Sequence, residues 1–242
     1  MTPIYAVGDI HGQLEMLETA LSRIEADGGP DAKIVFVGDL VDRGAGSRQV
    51  IERLMQGQAE GRDWTVLSGN HDDLFVGFLE RGADHDPRIL SGVPWSGPRI
   101  GGKATLASYG MQDLDRPIEA LLEEARQVVP PAHLAFLKGL PLHHEAGALL
   151  FVHAGIRPGV ALKDQTRDDQ MWIRGDFLND TRAHPWLVVH GHTAVEAPEH
   201  HGNRVNLDSG AGYGRPITAA VFEGREVWTL EAKGRATLLA NP

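Results

Sequence analysis

The chain has no cysteine. Disulfide staples and thiolate metal ligands are therefore excluded, and any metal site must be built from nitrogen and oxygen donors. No apolar run approaches the roughly 20 residues that a membrane-spanning helix needs, so no membrane span is expected. Basic charge is also short. Lys and Arg number 23 against 33 Asp and Glu, a formal net charge of −10 with the histidines taken as neutral. A general nucleic-acid or anionic-membrane binder needs a basic face, so neither partner is expected. Residues 1–7 run straight into the first polar motif and leave no room for the basic and apolar regions of a secretory signal, which points to a cytoplasmic location. There is no Gly-x-Ser-x-Gly elbow, so a serine-hydrolase mechanism lacks its nucleophile. Gly210-Ala211-Gly212-Tyr213-Gly214 is not followed by a helical pattern and is no dinucleotide fingerprint.

Present instead are five short polar motifs: Gly8-Asp9-Ile10-His11-Gly12, Gly38-Asp39-Leu40-Val41-Asp42-Arg43-Gly44, Gly69-Asn70-His71-Asp72, His153-Ala154-Gly155 and His190-Gly191-His192. Each of the first four follows an apolar run that reads as a strand. The runs at 4–7, 34–37 and 64–67 alternate with helical patterns, the first carrying Leu14, Leu17, Leu21 and Ile24. That helix should stop at Gly28-Gly29-Pro30, and Ser47 is a candidate N-cap for the next. The opening is β-α-β-α-β, which favours a parallel sheet with right-handed crossovers and ligands beyond the strands' carboxyl ends. Residues 82–116 break the rhythm with Gly, Pro and isolated charges and are expected to be an inserted partial lid. Helices at about 118–129 and 131–137 follow. Strands return at 149–152, 187–189, 205–207, 219–222 and 227–230, the last two joined by a Glu223-Gly224-Arg225 turn. The expected fold is one α/β domain over 1–242, a two-sheet sandwich flanked by helices.

The motifs supply two aspartates, an asparagine and several histidines at strand ends. Asp9 and His11 are one residue apart, which on an extended segment puts them on one face. Asp39 has two carboxylate oxygens and can bridge. Two clusters follow: Asp9, His11 and Asp39, and then Asp39, Asn70, His153 and His192. This donor set suits two divalent ions, with Mn²⁺ expected first and Fe or Zn²⁺ as alternatives. Two metals about 3.5–4 Å apart can clamp a phosphate and activate water.

On these residues the chain resembles the calcineurin-like metallophosphoesterase superfamily. Within it, the chain is similar to the PPP-type serine/threonine phosphatases of bacteria and phages, typified by the phage lambda phosphatase. The resemblance runs from Gly8 to about Gly224. It implies that His71 is a general acid, that Asp42 orients it, and that Arg43, Asn70 and Arg174 of Met171-Trp172-Ile173-Arg174 bind phosphate. It makes His192 the ligand of the last motif, with His190 close behind, and it leaves Asp208 a supporting or turn role. The implied reaction is in-line attack of a metal-bridging hydroxide on a phosphomonoester, with a phosphorylated protein or small phosphoester as substrate. Arg43 and Arg174 offer two forks to a monoester dianion, which places a serine/threonine or dual-specificity protein phosphatase first. The alternative is a symmetrical diadenosine tetraphosphate hydrolase, favoured by Asp72 and by Ser68 before Gly69. An inactive phosphoprotein-binding module is a remote third, since Asp39, Asn70 and His71 are all present.

Overall fold

The computed structural model describes residues 2–240. Two mixed sheets face one another. The first has six strands in the order β11-β10-β9-β1-β2-β3: β1 (Ile4–Val7), β2 (Lys33–Phe36), β3 (Trp64–Val66), β9 (Ala219–Glu223), β10 (Glu226–Glu231) and β11 (Gly234–Thr237). β1, β2 and β3 run parallel, and β9 adds antiparallel to β1. The second sheet has five strands in the order β4-β5-β6-β8-β7: β4 (His143–Ala146), β5 (Leu149–Val152), β6 (Leu187–His190), β7 (Glu199–His200) and β8 (Arg204–Asn206). Its centre, β5-β6-β8, is again parallel.

Burial on both faces explains why these strands read as apolar runs rather than as clean alternation. Alternate residues serve different layers. Ala6, Val35, Phe151, Val189, Val205 and Phe222 fill the space between the sheets. Tyr5, Val7, Ile34 and Phe36 point the other way, under α1 (Leu14–Gly28) and α2 (Ser47–Ala59). Leu150, Val152 and Val188 form a third cluster with Phe177 on the outer face of the second sheet. Between β3 and β4 lie α3 (Asn70–Arg81), α4 (Gly102–Ser108), α5 (Ile118–Val128) and α6 (Pro131–Gly139); α7 (Arg167–Trp172) and α8 (Gly175–Leu178) follow β5.

Two expectations change. Ser47 is not an N-cap: Gly46 holds that position, and Ser47 is buried as the first helical residue. Its hydroxyl instead accepts the Asp42 N–H at 3.2 Å and lies 3.1 Å from Thr105 Oγ1. The 82–116 segment is more than a surface excursion. Its Trp95 is fully buried against Phe75 and Phe78, and α4 packs on α2. Among the described residues no helix is long and apolar enough to cross a membrane.

Candidate active site

The parallel strands of both sheets end at the same edge, and the motifs begin there. Asp9 and His11 follow β1, Asp39, Asp42 and Arg43 follow β2, Asn70 and His71 open α3 after β3, His153 follows β5, and His192 follows β6. His11, Asp39, Asp42, Arg43 and His192 all hold positive φ, between 48° and 72°. Non-glycine residues pay about 1–3 kcal/mol for such backbone. Five such residues at one strand-end edge mean that the surrounding packing imposes the geometry.

Asp39 sits at the centre. Its Oδ1 lies 3.4 Å from His153 Nε2, and its Oδ2 lies 3.6 Å from His11 Nε2. One oxygen therefore faces each side, as a bridging carboxylate requires. Two groups of donor atoms form within 4.8 Å of one another: His11, Asp39 and His71, and Asp39, His153 and His192. Asn70 joins the second, its Oδ1 3.0 Å from His153 Nε2 and 2.7 Å from His192 Nδ1. Asp9 is buried nearby but belongs to neither group. Its carboxylate accepts the His192 backbone N–H. Gly191 permits this approach, since a Cβ there would lie 1.9 Å from Asp9 Oδ1.

The donor chemistry fits divalent metal. His153 donates Nδ1–H to the Val37 carbonyl and His11 donates Nδ1–H to the Val41 carbonyl, both at 2.9 Å. Backbone carbonyls thus fix each tautomer so that an Nε2 lone pair faces inward, the usual orientation of a metal-binding imidazole. His153 Nε2 then meets only acceptors, Asn70 Oδ1 and Asp39 Oδ1. Three lone-pair donors converging without a proton are stabilised by a cation between them.

Burial pushes the pKa values of His11, His153 and His192 down, keeping the rings neutral. Burial pushes Asp39 up, but the surrounding imidazoles, His153 foremost, outweigh it and hold the carboxyl below its usual range. Asp9 is raised by burial and by Asp208 and Asp39, and Asp208 is raised by burial and Asp39. Crowded carboxylates of this kind are relieved by bound positive charge.

His71 donates Nδ1–H to Asp42 Oδ2 at 2.7 Å, and its backbone N–H donates to Asp39 Oδ1 at 2.9 Å. Asp42 is fully buried and also accepts from Trp95 Nε1 at 3.0 Å and Thr105 Oγ1 at 2.7 Å. Arg43 is not paired with Asp42. Its Nη1 donates to His11 Nε2 at 2.6 Å and its Nη2 to His71 Nε2 at 3.2 Å, while the guanidinium lies 4.9 Å from the Tyr213 ring centroid. One lone pair cannot serve both Arg43 and a metal, so His11 could bind an ion only with this guanidinium off its Nε2. Arg174 is exposed and donates to Thr193 Oγ1 at 2.9 Å. Asp72 is buried and structural: its two oxygens accept Leu40 N–H and Gly69 N–H, both at 2.9 Å, and so tie the second motif to the third. His190 is buried against Phe177, and burial drives its pKa down to about 3.

A cleft of about 700 Å³ opens over these groups, lined by Arg43, Asn70, His71, Arg99, Arg174 and Tyr213 among others. Sequence reading missed Trp95, Thr105, Arg99 and Tyr213. The only signal was that Trp95 and Arg99 flank a Gly/Pro-rich stretch inside an otherwise regular chain.

A two-sheet α/β sandwich with nitrogen and oxygen donors gathered at its strand ends defines a metal-dependent hydrolase. The chain belongs to the calcineurin-like phosphoesterase family, whose sequence model matches residues 2–214. Members of that family hydrolyse phosphoesters with divalent metals. Similar curated proteins are named bis(5'-nucleosyl)-tetraphosphatase PrpE [asymmetrical]. One from Bacillus thuringiensis is 26% identical over 244 residues, covering 91% of this chain and 90% of that protein. Another from Anoxybacillus flavithermus is 27% identical over 246 residues, covering 91% and 90%. A solved structure described as a candidate diadenosine tetraphosphatase superposes with a TM-score of 0.67 at 23% identity, covering 94% of this chain and 92% of that one. A cold-active protein tyrosine phosphatase superposes with a TM-score of 0.66 at 18% identity, covering 100% and 80%. The two structures show the fold.

Proposed function

We propose that this protein hydrolyses dinucleoside tetraphosphates, the substrate class in the names of its curated relatives. The observation that carries this reading is a third arginine. Among the described residues, Arg43, Arg99 and Arg174 are the arginines that bond neither a carboxylate nor a backbone carbonyl, and all three line the one cleft. Every other arginine is engaged, for example Arg88 by Asp86, Arg157 by Asp169, Arg235 by Asp27 and Arg126 by the Leu79 carbonyl. In a chain of net charge −10, three guanidinium forks in one place that no carboxylate or carbonyl neutralises mark a polyanion site. Two forks serve a single phosphate. The third has nothing to bind on a simple monoester and is suited to a further phosphate of a polyphosphate chain. This reading displaces the protein phosphatase that the Arg43–Arg174 pair alone puts first. The relatives' names also specify asymmetrical cleavage, where the sequence suggested symmetrical.

In this reading His11 and Asp39, with Asp9 buried beside them, would hold one divalent ion, and Asp39, Asn70, His153 and His192 the second, while His71 stays off the metals. Ions bound there would supply Lewis-acid charge neutralisation and water activation. Arg43 and Arg174 bind the non-bridging oxygens of the phosphate under attack, and Arg99 binds along the chain. Asp42 accepts the Nδ1–H of a doubly protonated His71, leaving its Nε2–H to pass to the departing oxygen. The 82–116 segment covers one side of the cleft. A second reading, a phosphoserine/phosphothreonine phosphatase, draws on the Asp42–His71 pair, because an alkoxide leaving group needs an acid far more than a nucleotide does.

The test is a comparison of kcat/KM with Mn²⁺ for diadenosine tetraphosphate, phosphopeptides and 4-nitrophenyl phosphate. The dinucleotide should be hydrolysed most efficiently, to AMP and ATP, and Arg99→Ala should lower that value about tenfold. A phosphopeptide turned over more efficiently than the dinucleotide overturns the reading in favour of the second.

A further inference from the structure

Beside the cleft over the metal-binding residues lies a second one of about 780 Å³, and the two share Arg43, Arg99 and Tyr213. They are two lobes of one groove. The outer lobe has apolar walls from Pro94, Pro98 and Ala104, with Lys103 and Arg99 on its rim. Lys103 is held only by Asp115, whose side chain is 94% exposed, so a competing phosphate can take it. Large exposed apolar side chains are few: Leu90, Tyr213 and Leu239 among the described residues. Two of them line this groove, Leu90 in the inner lobe and Tyr213 at the join. Arginines and an exposed aromatic ring side by side at the join, with apolar walls and Lys103 in the outer lobe, match a nucleoside phosphate, its phosphates on the cations and its base against the ring.

Tyr213 is held in place by its backbone. The 210–214 segment closes tightly, with Tyr213 N–H donating to the Gly210 carbonyl at 2.9 Å and Gly214 N–H to the Ala211 carbonyl at 3.0 Å. Gly212 presses on the site itself, since a Cβ there would lie 2.7 Å from Arg43 Cδ and 2.8 Å from His11 Cδ2. The ring nevertheless remains 62% exposed. A largely exposed aromatic ring carried on a tight turn, with the Arg43 and Arg215 guanidiniums 4.9 and 5.9 Å from its centroid, puts a stacking surface next to phosphate-binding charge.

We propose that Tyr213 is the stacking platform for the base of a nucleoside phosphate seated in the outer lobe, with Lys103 and Arg99 on its phosphates. The assignment rests on the dinucleotide reading above, and it can be tested apart from it. Calorimetric binding of ATP and of inorganic tripolyphosphate, with Mn²⁺ present, is compared for wild type, Tyr213→Ala and Tyr213→Phe. The expected result is a loss of about tenfold in ATP affinity for Tyr213→Ala, the scale of one base stack. Tripolyphosphate affinity should change by less than about twofold, and Tyr213→Phe should bind ATP like wild type. No ATP binding by wild type, no loss in Tyr213→Ala, or an equal loss for tripolyphosphate overturns the platform. If ATP binds in a Tyr213-dependent way and diadenosine tetraphosphate is not hydrolysed, the platform stands and the proposed reaction fails.

Discussion

Asp42 accepts the Nδ1–H of His71 at 2.7 Å from a position with no solvent exposure. The pair fixes which imidazole nitrogen faces the cleft, and so which one can exchange a proton with substrate. His71→Asn should slow hydrolysis of an alkyl phosphomonoester by about 10²–10⁴-fold, the usual worth of a positioned acid. The loss should be much smaller for 4-nitrophenyl phosphate and diadenosine tetraphosphate, whose leaving groups gain far less from protonation than an alkoxide does. Parallel kinetics on the three substrates check this, and equal losses would remove His71 from the role.

Trp95 should matter more than an average core residue. Its indole N–H is one of three side-chain donors to Asp42, with His71 and Thr105. Trp95→Phe keeps most of the packing against Phe75 and Phe78 but leaves a buried carboxylate short of a partner. The expected cost is about 1–3 kcal/mol in urea unfolding, with slower alkyl-phosphate turnover. An unchanged unfolding midpoint would show that the hydrogen bond is dispensable.

Asp39 faces both donor groups with separate oxygens. Asp39→Asn removes the charge between them and should cost at least one bound metal per chain and most of the activity. Elemental analysis that finds two metals per chain in the variant would refute the bridging assignment.

Acid should destabilise the metal-free protein through His190. Burial holds its folded-state pKa at about 3, below its ordinary value of 6.5. Between those values the unfolded chain binds the extra proton, so stability is full above pH 6.5 and falls as pH drops, by up to about 1.4 kcal/mol per unit for one group. His190→Gln should flatten the pH 6.5–4.5 slope of urea stability, measured with chelator present, by about one proton. An unchanged slope would mean that His190 does not titrate on unfolding.

Much of this protein is decided locally. Strands 4–7 and 149–152 carry apolar residues at every position because both faces are covered, and a Gly-Asp or His-Ala-Gly turn must end each one. That is enough to read the β-α-β-α-β opening, the two-sheet sandwich and a row of nitrogen and oxygen donors at the strand ends from the chain alone. The strands it hid were β4, β7 and β11: short pieces such as His143-His144-Glu145-Ala146, lying at sheet edges where one side needs no apolar residue. The substrate side of the site was hidden for a different reason. Trp95 and Thr105 meet Asp42 across 53 and 63 residues, and Tyr213 comes to Arg43 from the far end of the chain. No local pattern marks such a contact. Whether an arginine is spent on a neighbouring carboxylate or left free for a phosphate depends on what the fold places beside it. The polar motifs and the donors they carry were therefore legible in the residues, while the three arginines left without a carboxylate and the two-lobed groove that supports the polyphosphate reading emerged only once the chain had closed around them.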